Sequence, residues 1–146
     1  MALLDGVDHY WPEQRKLIAK KHVPMNEFSV QANEEGQPHF PPTLVVESLA
    51  QTCGIMMNME ALIRSGGDVW RFSDSEYRIS LPEVELSVLA ESQIKHHGYA
   101  RPGDTIKLSA EVSLQRKEMH YFKVSANIAD TEISSGSIML SYPTYM

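Results

Sequence analysis

Cysteine is nearly absent from this chain: Cys53 is the one thiol in 146 residues, so no disulfide can form within it. It lies inside an apolar run, where a buried, inert thiol is the expected reading and a reducing, cytoplasmic compartment fits best. A basic surplus is lacking too. The formal net charge is -6 and the pI about 5.5, which leaves no basic face for a duplex, and no nucleic-acid partner is expected. No long unbroken hydrophobic run is present. The most apolar stretch, residues 44–63, is interrupted by Glu47, Gln51, Asn58 and Glu60, so no membrane span is expected. Residues 1–10 carry acidic groups where a signal peptide needs a basic flank, and no export is expected. The G-x-S-x-G, P-loop and dinucleotide fingerprints are missing, which sets aside common hydrolase and nucleotide-binding readings. His96 and His97 are adjacent, so on a strand they point to opposite faces; no metal and no cofactor is expected.

What is present has ordinary globular proportions, 42% hydrophobic and 22% charged, in a length suited to a single domain over residues 1–146. Residues 15–23, RKLIAKKHV, set Leu17, Ile18 and Val23 among lysines, predicting a strand with one solvated face that Pro24 ends. Residues 26–42 hold Gly36, Pro38, Pro41 and Pro42 with little periodicity, which predicts a stiff loop suited to positioning chemistry. From Thr43 the chain is apolar round nearly a whole helical circumference until Gly66-Gly67, predicting a helix over 43–65 that is buried on all sides. Residues 67–83, with Trp70, Phe72, Tyr77 and Pro82, suit a second short helix or an ordered insertion. From Glu85 the pattern is strand-like: ELSVLAESQI, a P-G-D turn at 102–104, TIKLSAEVSL, a QRKE turn, HYFKVSANIA and ISSGSIMLSY. Three or four antiparallel strands after one buried helix give an α+β class in which a curled sheet wraps the helix.

The segment PHFPPTLVVESLAQTCGI resembles the β-hydroxyacyl-ACP dehydratases of fatty-acid synthesis, whose signature is G-H-F-P-G-x-P-x-x-P-G, four variable residues, then E-x-x-A-Q. LLDGVD near the start is similar to that family's first strand, Met25-Asn26-Glu27 to its N-E before the active-site loop, and RPGDTIKL at 101–108 to its P-G-D turn and strand. The resemblance implies a hot-dog fold, an antiparallel sheet curled round a long central helix. It also implies an acyl carrier protein or coenzyme A thioester as substrate, and a homodimer that builds each active site from both subunits. Two alignments place the chemistry differently. Matching His39-Phe40-Pro41 to the family's H-F-P requires compensating gaps. Without gaps, Asn26 and Glu47 keep the family's spacing, and Gly36, Pro38 and Pro41 fall on the signature's glycine and two prolines. Asn33 then stands where the family has its histidine, and Pro42 where it has the glycine heading the helix. The unbroken spacing is preferred.

Dehydration of a 3-hydroxyacyl thioester needs a base for the α-proton, a donor for the thioester oxygen and an acid for the departing hydroxyl. Glu47, flanked by Leu44, Val45, Val46 and Leu49, is expected to be buried, which pushes a carboxyl upward into the acid–base range. The bland reading is a glutamate bonded to backbone; the E-x-x-A-Q match favours a site carboxylate. Gln51, one turn on, shares the face of Glu47 and either binds its carboxylate or the substrate, or is a structural amide. Asn33 cannot act as the base, and Pro42 has no N–H to give. Thr43 or Leu44 could supply that hydrogen bond only to a shifted substrate. His39 either replaces the lost histidine from another point of the loop or has no catalytic duty. Three functions therefore remain: a dehydratase-like protein, intact or impaired; a thioesterase in which Glu47 activates water; and a non-catalytic acyl-binding or scaffolding dimer. Lys16, Lys20, Lys21, Arg64, Lys95 and Arg101 either dock an acidic carrier or are solvated faces.

Overall fold

The alternation of apolar and charged residues in RKLIAKKHV becomes the strand β2 (Lys16–His22), which pairs antiparallel with β1 (Gly6–Trp11) in a hairpin. In the computed structural model, which describes residues 4–25, 31–32, 38–64, 69–73, 76–79 and 88–141, Leu17 and Ala19 of β2 are fully buried. Val7 and Tyr10 of β1 are buried as well, although their spacing breaks the period of two. The register shift between Val7 and His9 is what brings both to the inner face.

Two short paired strands, β3 (Gln31–Ala32) and β4 (Pro38–His39), lead into the helix α1 (Pro42–Arg64), which begins one residue before the expected start. After it β5 (Val69–Ser73) and β6 (Glu76–Ile79) form a separate hairpin, so this stretch is an insertion of two strands and not a short helix. The reason is period: Trp70 and Phe72, then Tyr77 and Ile79, are two apart in sequence. The strands β7 (Val88–His96), β8 (Thr105–Arg116), β9 (Met119–Ile128) and β10 (Thr131–Ser141) join the first hairpin in a six-stranded antiparallel sheet of order β1-β2-β8-β9-β10-β7.

The sheet curls over α1 and buries alternate residues against it: Ile106, Leu108 and Ala110 of β8, Phe122, Val124 and Ala126 of β9, and Ile138 and Leu140 of β10. On the helix, Val45, Leu49, Cys53, Met56, Met57 and Met59 meet this face, none more than 3% exposed. At 100° per residue they occupy roughly half the circumference. The methionines, unbranched and pliant, fill the irregular space between a straight helix and a twisted sheet. The expectation of a helix buried on all sides fails here. Thr43 and Glu47 are exposed, and Gly54 and Asn58, on the same side, are half-buried. A single sheet wraps one side of a cylinder, so the apolar circumference of α1 is only half used by the described residues.

Candidate functional site

The start of α1 is built by two prolines. Pro41 accepts from the N–H groups of both Leu44 (3.0 Å) and Val45 (3.3 Å), so it caps the helix, and Pro42 takes the first helical position, where a missing N–H costs nothing. The consequence concerns oxyanion binding. Pro41 and Pro42 have no N–H and those of Leu44 and Val45 are engaged, which leaves Thr43 as the one first-turn donor without an acceptor among the described residues. Of the two residues that could supply this bond, Thr43 and not Leu44 has it free.

Immediately before the helix, His39 is buried on β4, 8% exposed, and its Nδ1 has no hydrogen-bond partner among the described residues. Phe40, 1% exposed, donates its N–H to the carbonyl of Ala100 at 2.8 Å and ties the end of the loop to the segment between β7 and β8. That segment is itself tied to β10. His97 and Gly98 both donate to the Ile133 carbonyl, at 2.7 and 3.2 Å. The R-P-G-D turn follows: Pro102 at its second position, Gly103 with φ +90 at its third, and the Asp104 N–H closing on the Arg101 carbonyl at 3.0 Å. A side chain at Gly103 would be strained by that φ. The Asp104 carboxylate accepts from the Arg101 N–H at 2.8 Å. Val23 and this turn exchange two backbone bonds, Val23 N–H to Asp104 and Gly103 N–H to Val23, each 2.8 Å. One connection therefore anchors both Val23, before the loop, and Phe40, after it.

Tyr99, from the same connection, meets the His39 ring nearly edge-on, with centroids 4.9 Å apart and planes at 71°. This contact was not singled out from the sequence, although Tyr99 stands beside the R-P-G-D turn that the family resemblance marked. Glu47, on the second turn of α1, is exposed in the single chain, a correction to its expected burial. The residues flanking it in sequence face elsewhere: Val45 and Leu49 turn into the core and Leu44 and Val46 are half-buried. Thr43, one turn earlier, is on the same side. Gln51 is half-buried and engaged in an interaction of its own. Asn33 lies outside the described residues. Ser48 and Thr52 are buried, but their hydroxyls bond back to the carbonyls of Leu44 (2.7 Å) and Ser48 (2.8 Å), which occupies them within the helix.

Other polar groups are committed elsewhere. His96 Nδ1 lies 2.7 Å from Ser134 Oγ and His97 Nε2 lies 3.2 Å from Ser135 Oγ, so each histidine meets its own serine on β10. Burial, then the neighbouring His97, holds His96 below the usual histidine range. No group of three His, Cys, Asp or Glu among the described residues could hold a metal ion. A cleft of about 330 Å³ lies at the far end of α1, lined by Tyr10, Pro12, Arg15, Glu60, Ile63 and Gln115. Glu60 is about 20 Å along the helix from Glu47 at 1.5 Å per residue. In that cleft Arg15 forms a fork with Glu60 (2.6 and 3.1 Å) and a bond to Gln115 (2.7 Å), an internally neutralised cluster remote from His39 and Glu47 in the fold.

A six-stranded antiparallel sheet curled round one helix defines a hot-dog domain, and solved structures agree. A chain of the dehydratase heterocomplex ApeI:P from Xenorhabdus doucetiae superposes with a TM-score of 0.72 at 17% identity, over 99% of this chain and 84% of that one. Protein smu.793 from Streptococcus mutans, solved with acetyl CoA bound, gives 0.60 at 10% identity, over 98% and 93%. At such identities the likeness establishes the fold alone. The sequence goes further: residues 1–137 match the FabA-like domain family, to which the chain belongs. The 3-hydroxyacyl-[acyl-carrier-protein] dehydratase FabZ of Caulobacter sp. is 28% identical over 88% of this chain and 68% of its own length. The chain is thus a 3-hydroxyacyl-thioester dehydratase-like protein. No helix among the described residues is long and apolar enough to cross a membrane.

Proposed function

We propose that the chain is an active dehydratase of 3-hydroxyacyl thioesters, carried by acyl carrier protein or coenzyme A, and that it works as a homodimer. The observation that carries this reading is His39: a buried imidazole, partnerless at Nδ1 among the described residues, three residues before the helix of Glu47. A buried polar atom left without a bond is costly to keep, and a catalytic role of the ring that carries it is one reason for such a group to be retained. This supports matching His39-Phe40-Pro41 to the family's H-F-P.

In this reading neutral His39 takes the α-proton, the Cα–H electrons form the Cα=Cβ bond, and the Cβ–O bond breaks. Glu47 in its protonated form gives a proton to the departing hydroxyl, which leaves as water. The proton held by His39 then returns to Glu47 before the next turnover. The Thr43 N–H meets the negative charge that develops on the thioester oxygen. Glu47 is exposed in the single chain, and a second subunit closing over that side of α1 shields the carboxyl and the bound thioester from water. The edge strand β7, unpaired on its outer side among the described residues, offers a sheet edge for the same association. The fold neighbour named as a heterocomplex raises a homologous chain as the alternative partner.

The test is appearance of the conjugated enoyl thioester from a 3-hydroxyacyl thioester, with free thiol followed in parallel. His39→Ala and Glu47→Gln should each remove at least about a hundredfold of the rate. Thiol release in place of enoyl product would establish the thioesterase. Binding without either product would establish an acyl-binding protein. Light scattering should give twice the 16.5 kDa of one chain.

A further inference from the structure

We propose that Tyr99 is a positioning residue for His39, fixing the plane of the imidazole from which the proposed base acts. The inference rests on the catalytic reading of His39. An imidazole used as a base is ordinarily oriented by a hydrogen bond at its other nitrogen, to a carbonyl or a carboxylate. Among the described residues Nδ1 of His39 has no such bond, and packing is the orienting contact they provide. The ring packed on it is Tyr99, edge-on at 4.9 Å and 71°.

Tyr99 is itself held by backbone on both sides. Gly98, before it, donates to Ile133, and Ala100, after it, receives the N–H of Phe40. A Cβ on Gly98 would meet Ile133 Cγ2 at 3.5 Å, so this backbone lies in direct contact with β10. Residues 39 and 40 are thus clasped by residues 99 and 100 at two points, ring to ring and N–H to carbonyl. The backbone bond locates the His39 segment, and the ring contact selects its side-chain rotation. Tyr99 is 56% exposed and adds little to the core, so its position against the histidine is not explained by burial.

The test compares Tyr99→Leu and Tyr99→Phe with wild type. In wild type and Tyr99→Phe the His39 Cε1–H resonance should be one sharp line with fixed proton–proton contacts to Phe40. In Tyr99→Leu those contacts should weaken and the line broaden as the ring samples a second rotamer. Thermal unfolding should be unchanged, and kcat should fall about five- to tenfold with KM held. Tyr99→Phe should restore kcat, since its ring makes the same contact. Unaltered His39 contacts in Tyr99→Leu would overturn the proposal, as would a rise in KM alone. If wild type turns over no thioester, the catalytic reading fails, and the resonance experiment still decides whether Tyr99 orients His39.

Discussion

Gly136→Ala is expected to dislodge the edge of the sheet, because β10 and β7 approach each other too closely there for any side chain. Gly136 pairs with Ile94 of β7 and with Val124 of β9. A Cβ at this position would lie 1.9 Å from the carbonyl oxygen of Gln93 and 2.9 Å from Ile94 Cα, where ordinary contact begins at 3.4 Å. One strand must therefore move by about 1.5 Å, far beyond what bond-angle strain absorbs. β9 is held between β8 and β10, whereas β7 has a neighbour on one side only among the described residues, so β7 gives way. Overpacking of this kind costs about 1–3 kcal/mol and each ladder hydrogen bond lost adds roughly 1 kcal/mol, for a total of about 3 kcal/mol. With a urea slope of about 2 kcal/mol/M, the unfolding midpoint should fall by about 1.5 M. Circular dichroism against urea reads this directly. The effect should reach the site, since β7 runs into the connection that holds Phe40 and Tyr99. A folded Gly136→Ala protein whose midpoint lies within about 0.3 M of wild type would refute the close approach.

Burial, then the Glu60 carboxylate, raises the Tyr10 phenol from 10.0 to about 12, with the Arg15 guanidinium opposing. Since the folded value lies above the unfolded one, this stabilisation is intact below pH 10.0 and lost as pH rises through about 12; Tyr10→Phe should abolish that part of the alkaline loss in unfolding midpoints. Cys53 is fully buried, and desolvation holds its thiol well above the usual range, so a disulfide reagent should label it only on unfolding. Asn33→His together with Pro42→Gly should leave the dehydration rate unimproved if His39 is the base. A marked gain with His39→Ala silent would return the chemistry to the ungapped alignment.

Much of the architecture was legible along the chain. The alternation of Ile106, Leu108 and Ala110, the R-P-G-D turn and the apolar run after Pro42 are local signals, because period and turn chemistry act over neighbouring residues. They led to an α+β domain with a sheet round one helix, and the structure has it. The dehydratase resemblance was likewise carried by short motifs. The hairpin β5–β6 was less legible, since short runs with mixed aromatics and charges suit either period until two strands pair.

What local pattern could not determine was which side of α1 the sheet would cover. Hydrophobicity all round a helix states how much surface should be buried, not by what. Only the curl of one sheet over half the cylinder left Thr43 and Glu47 facing out. The engagement of the Leu44 N–H by Pro41 depends on the chain's path into the helix, and it singles out Thr43. Asn33 and His39 could be weighed only as motif matches in sequence. The structure puts His39 against Tyr99, sixty positions later in the chain, and buries its Nδ1 without a partner among the described residues. Such a contact exists only because β10 holds the connection between β7 and β8 beside the start of the helix; it is a long-range consequence of packing, to which no local pattern of residues points.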